Sequence, residues 1–163
     1  MIRHVKEARK MLAHPVTLRK WSTLKRKAVF GFTANAVRRQ LATMDFCGYK
    51  VTCHRKIHPA MNRVEARIRK AEAKHDWPEW TPARMECFNW RTIRGGTSLS
   101  RHAHAIAFDI DPKHNGYFTR YDPHNEKQTT NIPVHVLNAF LAEGFTLGIE
   151  WNAPLDVMHI QYA

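Results

Sequence analysis

Three cysteines in 163 residues, Cys47, Cys53 and Cys87, cannot all pair within one chain, and no two of them form a CxxC. Free thiols are therefore expected, as for a protein of the reducing cytosol. Long apolar runs are missing too. No stretch approaches the roughly 18 residues of a membrane span. Arg, Lys and Glu interrupt the first thirty residues before the apolar segment of a signal peptide can form. Synthesis as a soluble cytosolic chain is expected, so any work outside the membrane needs another route out. The 7 Gly and 8 Pro are scattered rather than gathered into a low-complexity linker, and no internal repeat is visible. With 44% hydrophobic and 10% aromatic residues, the chain has enough apolar material for one modest core and is expected to be a monomer.

Acidic residues are scarce in one half only. Residues 1–74 hold 19 Lys and Arg against 4 Asp and Glu, whereas residues 75–163 hold 7 against 10. The net charge of +12 is thus concentrated in the N-terminal half. Such a half is drawn to polyanions, whether nucleic acid, anionic lipid or the anionic polymers of a bacterial envelope, and the field alone does not choose among them.

The pattern along the chain predicts a short basic helix from Ile2 to Ala13, with Val5, Ala8 and Leu12 at helical spacing. A second helical stretch is expected from Val16 to Leu41, broken near Gly31, with an apolar stripe of Leu18, Trp21, Leu24 and Phe32. Residues 1–45 read together as a basic helical extension, and residues 46–163 as the main domain. Gly48 to Cys53 alternates like a strand, and Pro59 opens a helix from Ala60 to about Lys74 with Met61, Val64 and Ile68 on one face. Strands are expected over Met85–Trp90 and Ala103–Ile110, a long polar loop over Asp111–Asn131, and a helix over Pro133–Glu143 closed by Gly144. Phe145–Ile149 and Met158–Tyr162 close the chain as strands. Strands and helices without a βαβ rhythm indicate an α+β fold with a small antiparallel sheet.

Two polar pairs interrupt otherwise apolar strand-like segments. His102 and Asp109 flank Ala103–Phe108, and Asp156 and His159 stand among Leu155, Val157, Met158 and Ile160. A carboxylate beside a buried strand costs several kcal/mol, of order 3–5, unless it is paired or metal-bound. Seven residues separate His102 from Asp109, which suits a His in the turn entering a strand and an Asp further along it, facing one pocket. Two imidazoles and a carboxylate offer Zn²⁺ three ligands and leave a fourth position for water, as a catalytic site requires. Asp156 is then free to handle protons. By spacing alone His104 competes with His102, and Asp111 with Asp109.

The run Ser100-x-His102-x-x-Ala105-x-Ala107-x-Asp109, answered by Asp156-x-x-His159, resembles the M15 zinc peptidases, the D-alanyl-D-alanine carboxypeptidase family. That family includes the L-alanyl-D-glutamate endopeptidases of phage lysins. The segments Cys87-Phe-Asn-Trp-Arg91-Thr-Ile-Arg94-Gly-Gly and Asp111-Pro-Lys-His-Asn115 look like its lysin branch, and the resemblance spans about residues 46–162. It implies zinc held by His102, Asp109 and His159, proton transfer by Asp156, and an Arg before the first motif that positions substrate and stabilises the oxyanion. Arg91 is the first choice for that Arg and Arg94 the second, with Ser100 beside the substrate. The chain departs from the family at Ala105, where Gly is usual, and at Ile160-Gln161, where Phe-Glu is usual. The reading that follows is a phage-type endolysin that cuts the stem peptide of bacterial peptidoglycan, made in the host cytoplasm and acting on the wall after release. A D,D-carboxypeptidase is the alternative within the family. A basic nucleic-acid-binding protein is the alternative outside it, and it leaves Asp109 and Asp156 without a purpose.

Overall fold

A computed structural model describes residues 2–13 and 22–162. Its architecture is α+β, with helices around small antiparallel sheets. In chain order the elements are β1 (Arg3–His4), α1 (Val5–Lys10), α2 (Thr23–Phe30), α3 (Ala34–Arg38), β2 (Leu41–Phe46), β3 (Tyr49–His54), α4 (His58–His75) and β4 (Met85–Glu86). There follow β5 (Ala107–Ile110), β6 (Tyr117–Phe118), β7 (Thr129–Thr130), α5 (Val134–Ala142), β8 (Phe145–Leu147), β9 (Leu155–Asp156) and β10 (His159–Tyr162). Among the described residues no helix is long and apolar enough to cross a membrane.

The central sheet has the order β4-β5-β10-β8 and is antiparallel throughout. Helix α4 forms because Pro59 sits in its first turn and Ala60, Met61, Val64 and Ile68 make one buried stripe. Asp76 ends it in the left-handed region, at φ 53°. Helix α5 buries Val136, Leu137, Phe140 and Leu141 between α4 and the sheet. Phe46, Phe140, Phe145 and Phe108 run through the core as a chain of ring contacts, at centroid distances of 5.7, 5.1 and 6.5 Å. All four are fully or almost fully buried, so the core links the β2–β3 hairpin through α5 to the sheet.

Four expected elements differ in part. The helical expectation for 16–41 holds for α2 and α3 but not for its end, because Leu41–Phe46 pairs residue for residue with Tyr49–His54. The two-residue turn between them, Cys47 at φ 52° and Gly48 at φ 78°, matches strand twist as a primed hairpin turn does. Leu18 and Trp21 of the expected stripe lie outside the described residues, and Leu24 and Phe32 are exposed. Met85–Trp90 is a strand only at Met85–Glu86, and Arg101–His104 is a 3-10 turn before β5 starts at Ala107. The loop over Asp111–Asn131 contains two short strands, and buried Asn115 organises it by donating to the carbonyls of Ile110 and Asp111 and to Asn131 Oδ1.

Residues 3–10 pack onto this frame. Val5 and Ala8 are fully buried, and β1 pairs with β7. Arg9 donates to the carbonyls of Ile149 and Trp151, at 2.6 Å each, and lies 3.7 Å above the Tyr121 ring. It thereby ties down the segment that leads into β9. Phe30 and Val37 also enter the core, and β2 crosses the expected boundary between residues 45 and 46.

Candidate metal centre

Register brings the first two ligand-type side chains together: Asp109 on β5 lies directly opposite His159 on β10. His102 arrives from the 3-10 turn. Ser100 caps that turn, its Oγ accepting from the His102 amide at 3.3 Å, and Ala105 ends it at φ 52°, ψ 42°. A left-handed backbone costs an L-residue roughly 1–2 kcal/mol and glycine almost nothing. The Gly-to-Ala departure at 105 is therefore a matter of backbone strain, and Ala, with the smallest side chain after Gly, is tolerated.

His102 Nε2 and His159 Nδ1 are 3.2 Å apart, His159 Nδ1 and Asp109 Oδ1 3.2 Å, and His102 Nε2 and Asp109 Oδ1 3.3 Å. The remaining nitrogen of each ring is engaged: His102 Nδ1 lies 2.7 Å from the Cys87 carbonyl and His159 Nε2 lies 3.1 Å from Gln161 Oε1. Both partners accept only, so in the neutral rings these outer nitrogens carry the protons and the inward ones present bare lone pairs. Three acceptors facing one another repel unless a cation lies among them. A tetrahedral zinc with bonds of about 2.0–2.1 Å sets its ligand atoms about 3.3–3.4 Å apart, so both the donor set and its spacing fit Zn²⁺. His102, Asp109 and His159 are the candidate metal ligands. Burial alone would raise the Asp109 carboxyl; where no ion lies in the centre and a proton takes its place on the inward nitrogens, hydrogen bonds from His102 and His159 and the charge of the protonated rings hold it well below the usual carboxylate range.

Asp156 stands outside this trio, on β9 opposite Tyr117 of β6. Its Oδ1 is buried with no hydrogen-bond partner among the described residues. Burial pushes its pKa up, with His159, His102 and Arg91 opposing the shift and Asp109 adding to it. A carboxyl with a raised pKa and a free oxygen is suited to accepting and returning a proton.

These groups open into a cleft of about 1090 Å³ whose lining includes Asp109, Asp156, His159, Arg91, Arg94 and Ser100. Arg91 is held beside the 3-10 turn because its carbonyl accepts from the Ser100 amide, and its Nη1 donates to the Thr92 carbonyl. Arg94 lies 4.5 Å from the Tyr117 ring centroid. Ser100 spends its hydroxyl on the cap. The competing ligands fall elsewhere: His104 is fully buried against Trp90, and Asp111 accepts from the Arg84 amide and from Asn131 Nδ2.

Four further contributors surround the trio, and of these the sequence pointed only to Gln161. The Cys87 carbonyl and Gln161 fix the two rings, and the Trp151 ring lies 5.2 Å from that of His159. At Gly148 a Cβ would overlap the Asp156 carbonyl and lie 3.0 Å from His159 Cβ, so only glycine fits there. Only Gln161 carried a signal, as the departure from Glu. The amide oxygen accepts from His159 as a carboxylate would, without its charge.

Residues 94–162 match a family model described as D-alanyl-D-alanine carboxypeptidase, of the M15 peptidases. The matched stretch contains His102, Asp109, Asp156 and His159, and begins after Arg91. M15 peptidases are typically zinc-dependent, and His102, Asp109 and His159 stand together within the matched stretch as a possible metal site. No curated protein and no solved structure matches the chain.

Proposed function

We propose that this protein is a zinc peptidase of phage-endolysin type that hydrolyses the bond between L-Ala and D-Glu in the peptidoglycan stem peptide. One observation carries the reading: three bare acceptor atoms converge, each ring held by an outer hydrogen bond, beside a half-buried carboxylate whose buried Oδ1 has no hydrogen-bond partner among the described residues. His102, Asp109 and His159 would hold the ion. When bound, Zn²⁺ supplies a Lewis acid for the scissile carbonyl and lowers the pKa of water to about 7. Asp156 takes the proton from the attacking water and delivers it to the leaving amine. Arg91, whose charge already acts on Asp156, offsets the negative charge of the tetrahedral intermediate, with Arg94 the second candidate. Arg91 and Ser100 line the substrate's path.

In this reading the protein is made in the host cytoplasm and meets the wall after release, and its basic N-terminal half contacts anionic envelope polymers. The description of the matched family favours a second reading, a D,D-carboxypeptidase that removes terminal D-Ala. Mass spectrometry of peptidoglycan digested with the protein separates the two. New L-Ala carboxyl and D-Glu amino ends support the endopeptidase, release of D-Ala alone supports the carboxypeptidase, and intact peptidoglycan contradicts both.

A further inference from the structure

The same cleft carries charges that the proposed chemistry does not use. Arg26 of α2 and Arg101 of the 3-10 turn both line it. Arg26 is only 7% exposed, and its Nε and Arg101 Nη1 are buried with no hydrogen-bond partner among the described residues. Burial is the main reason that both sit below the ordinary guanidinium range, Arg101 at about 10 with the Arg26 charge adding to its shift. His104 and His54 beside them are held neutral by burial, each pushed down to about 4. Among the described residues no Asp or Glu forms an ion pair with either Arg, and the sequence of residues 14–21 contains no acid. Arg91 and Arg94 differ, since one donates to a carbonyl and the other lies over a ring.

A buried guanidinium and a half-buried one, with no acidic side chain paired to either among the described residues, are costly to keep, and the wall of a binding cleft is where an incoming anion would relieve that cost. The planar fork of each side chain matches the two oxygens of a carboxylate. We infer that Arg26 and Arg101 form a carboxylate subsite, by which this chain selects peptide substrates bearing a free carboxylate. The inference rests on the peptidase reading for its ligand and gives α2 a part in specificity. Arg26 and Arg101 are thus binding residues from two distant segments, and Arg26 lies outside the stretch that matches the peptidase family.

The test is calorimetric binding to the full-length, metal-free protein, so that neither turnover nor a metal–carboxylate contact contributes. The probes are a stem-peptide fragment with free carboxylates and the same fragment with every carboxylate converted to carboxamide. The acid should bind about tenfold tighter or more, the scale of a charge-assisted hydrogen bond. In Arg26→Gln that ratio should fall to within about threefold, and Arg26→Lys should keep part of it. Arg101→Gln reaches the same point from another element and serves if Arg26→Gln does not fold, with thermal melting as the check on both. Equal binding of acid and amide by the wild type, or an undiminished ratio in a folded Arg→Gln variant, overturns the subsite. A chain that cleaves no peptidoglycan yet keeps an Arg26-dependent preference for the acid retains the subsite and loses the peptidase reading. A chain that cleaves peptidoglycan but binds both probes equally loses the subsite alone.

Discussion

Gln161 and Asp156 are both polar neighbours of the ligand trio, yet their substitution should separate two functions. Gln161 acts only through His159, accepting from its Nε2 and so leaving Nδ1 to face the centre. Gln161→Ala is expected to weaken zinc affinity about 10- to 100-fold, read by competition with a chromogenic chelator. Asp156 touches no ligand atom through a hydrogen bond among the described residues. Asp156→Ala should keep one equivalent of zinc by metal analysis while kcat falls about 10²- to 10⁴-fold. Tight zinc in Gln161→Ala, or near-normal turnover in Asp156→Ala, would contradict these roles. The sequence made the trio and Asp156 legible because each is a polar residue in an apolar run, where burial demands a partner. It could not resolve His102 from His104, two residues apart. That choice is made by the turn, which aims one ring at the Asp109–His159 pair and buries the other against Trp90. The Cys87 carbonyl left no trace in the sequence, since any residue supplies one.

Among the elements, those whose pattern is local were the readable ones. Helix α4 announces itself by Pro59 and the stripe of Met61, Val64 and Ile68, and α5 by its apolar run ahead of Gly144. Strand β2 was hidden because its hairpin turns on Cys47-Gly48 rather than on an Asn-Gly or Asp-Gly signal. The β5–β10 register, which sets Asp109 against His159, is a long-range pairing that no local pattern encodes. Close packing between elements has its own test at Gly148, in the 3-10 turn after β8. Gly148→Ala presses a methyl group on the Asp156 backbone and the His159 Cβ, and backbone cannot rotate away. A loss of about 1–3 kcal/mol in urea denaturation is expected, with hydrolysis reduced more than tenfold. Wild-type activity in that variant would mean that β9 and β10 are not held as closely as this packing requires.

At the scale of the molecule, the N-terminal segment is bound to the rest by Val5, Ala8, Phe30 and Val37 in the core and by Arg9 on the β9 side. Neither the packing of α1 nor the position of Arg26 in the cleft was readable from a basic composition, which speaks only of solvated charge. Stability should depend on acid through buried histidines. His54 and His104 are neutral in the fold, with pKa values pushed from 6.5 to about 4, chiefly by burial. As pH falls below about 6.5 the unfolded chain takes up these protons first, so stability complete above that pH is lost progressively down to about 4. Glu143, held low against burial by Arg63 and Arg67, extends the loss below its ordinary 4.5. Urea midpoints of metal-free protein should therefore drop from pH 7 to pH 4.5, and a flat profile would contradict the burial of these rings. The claim on which the functional reading stands is that His102, Asp109 and His159 hold the ion that hydrolysis requires. The most direct measurement is peptidoglycan hydrolysis by chelator-stripped protein, before and after one equivalent of Zn²⁺. Activity absent when stripped and restored at one ion per chain is the expected result; hydrolysis unchanged by stripping would contradict it.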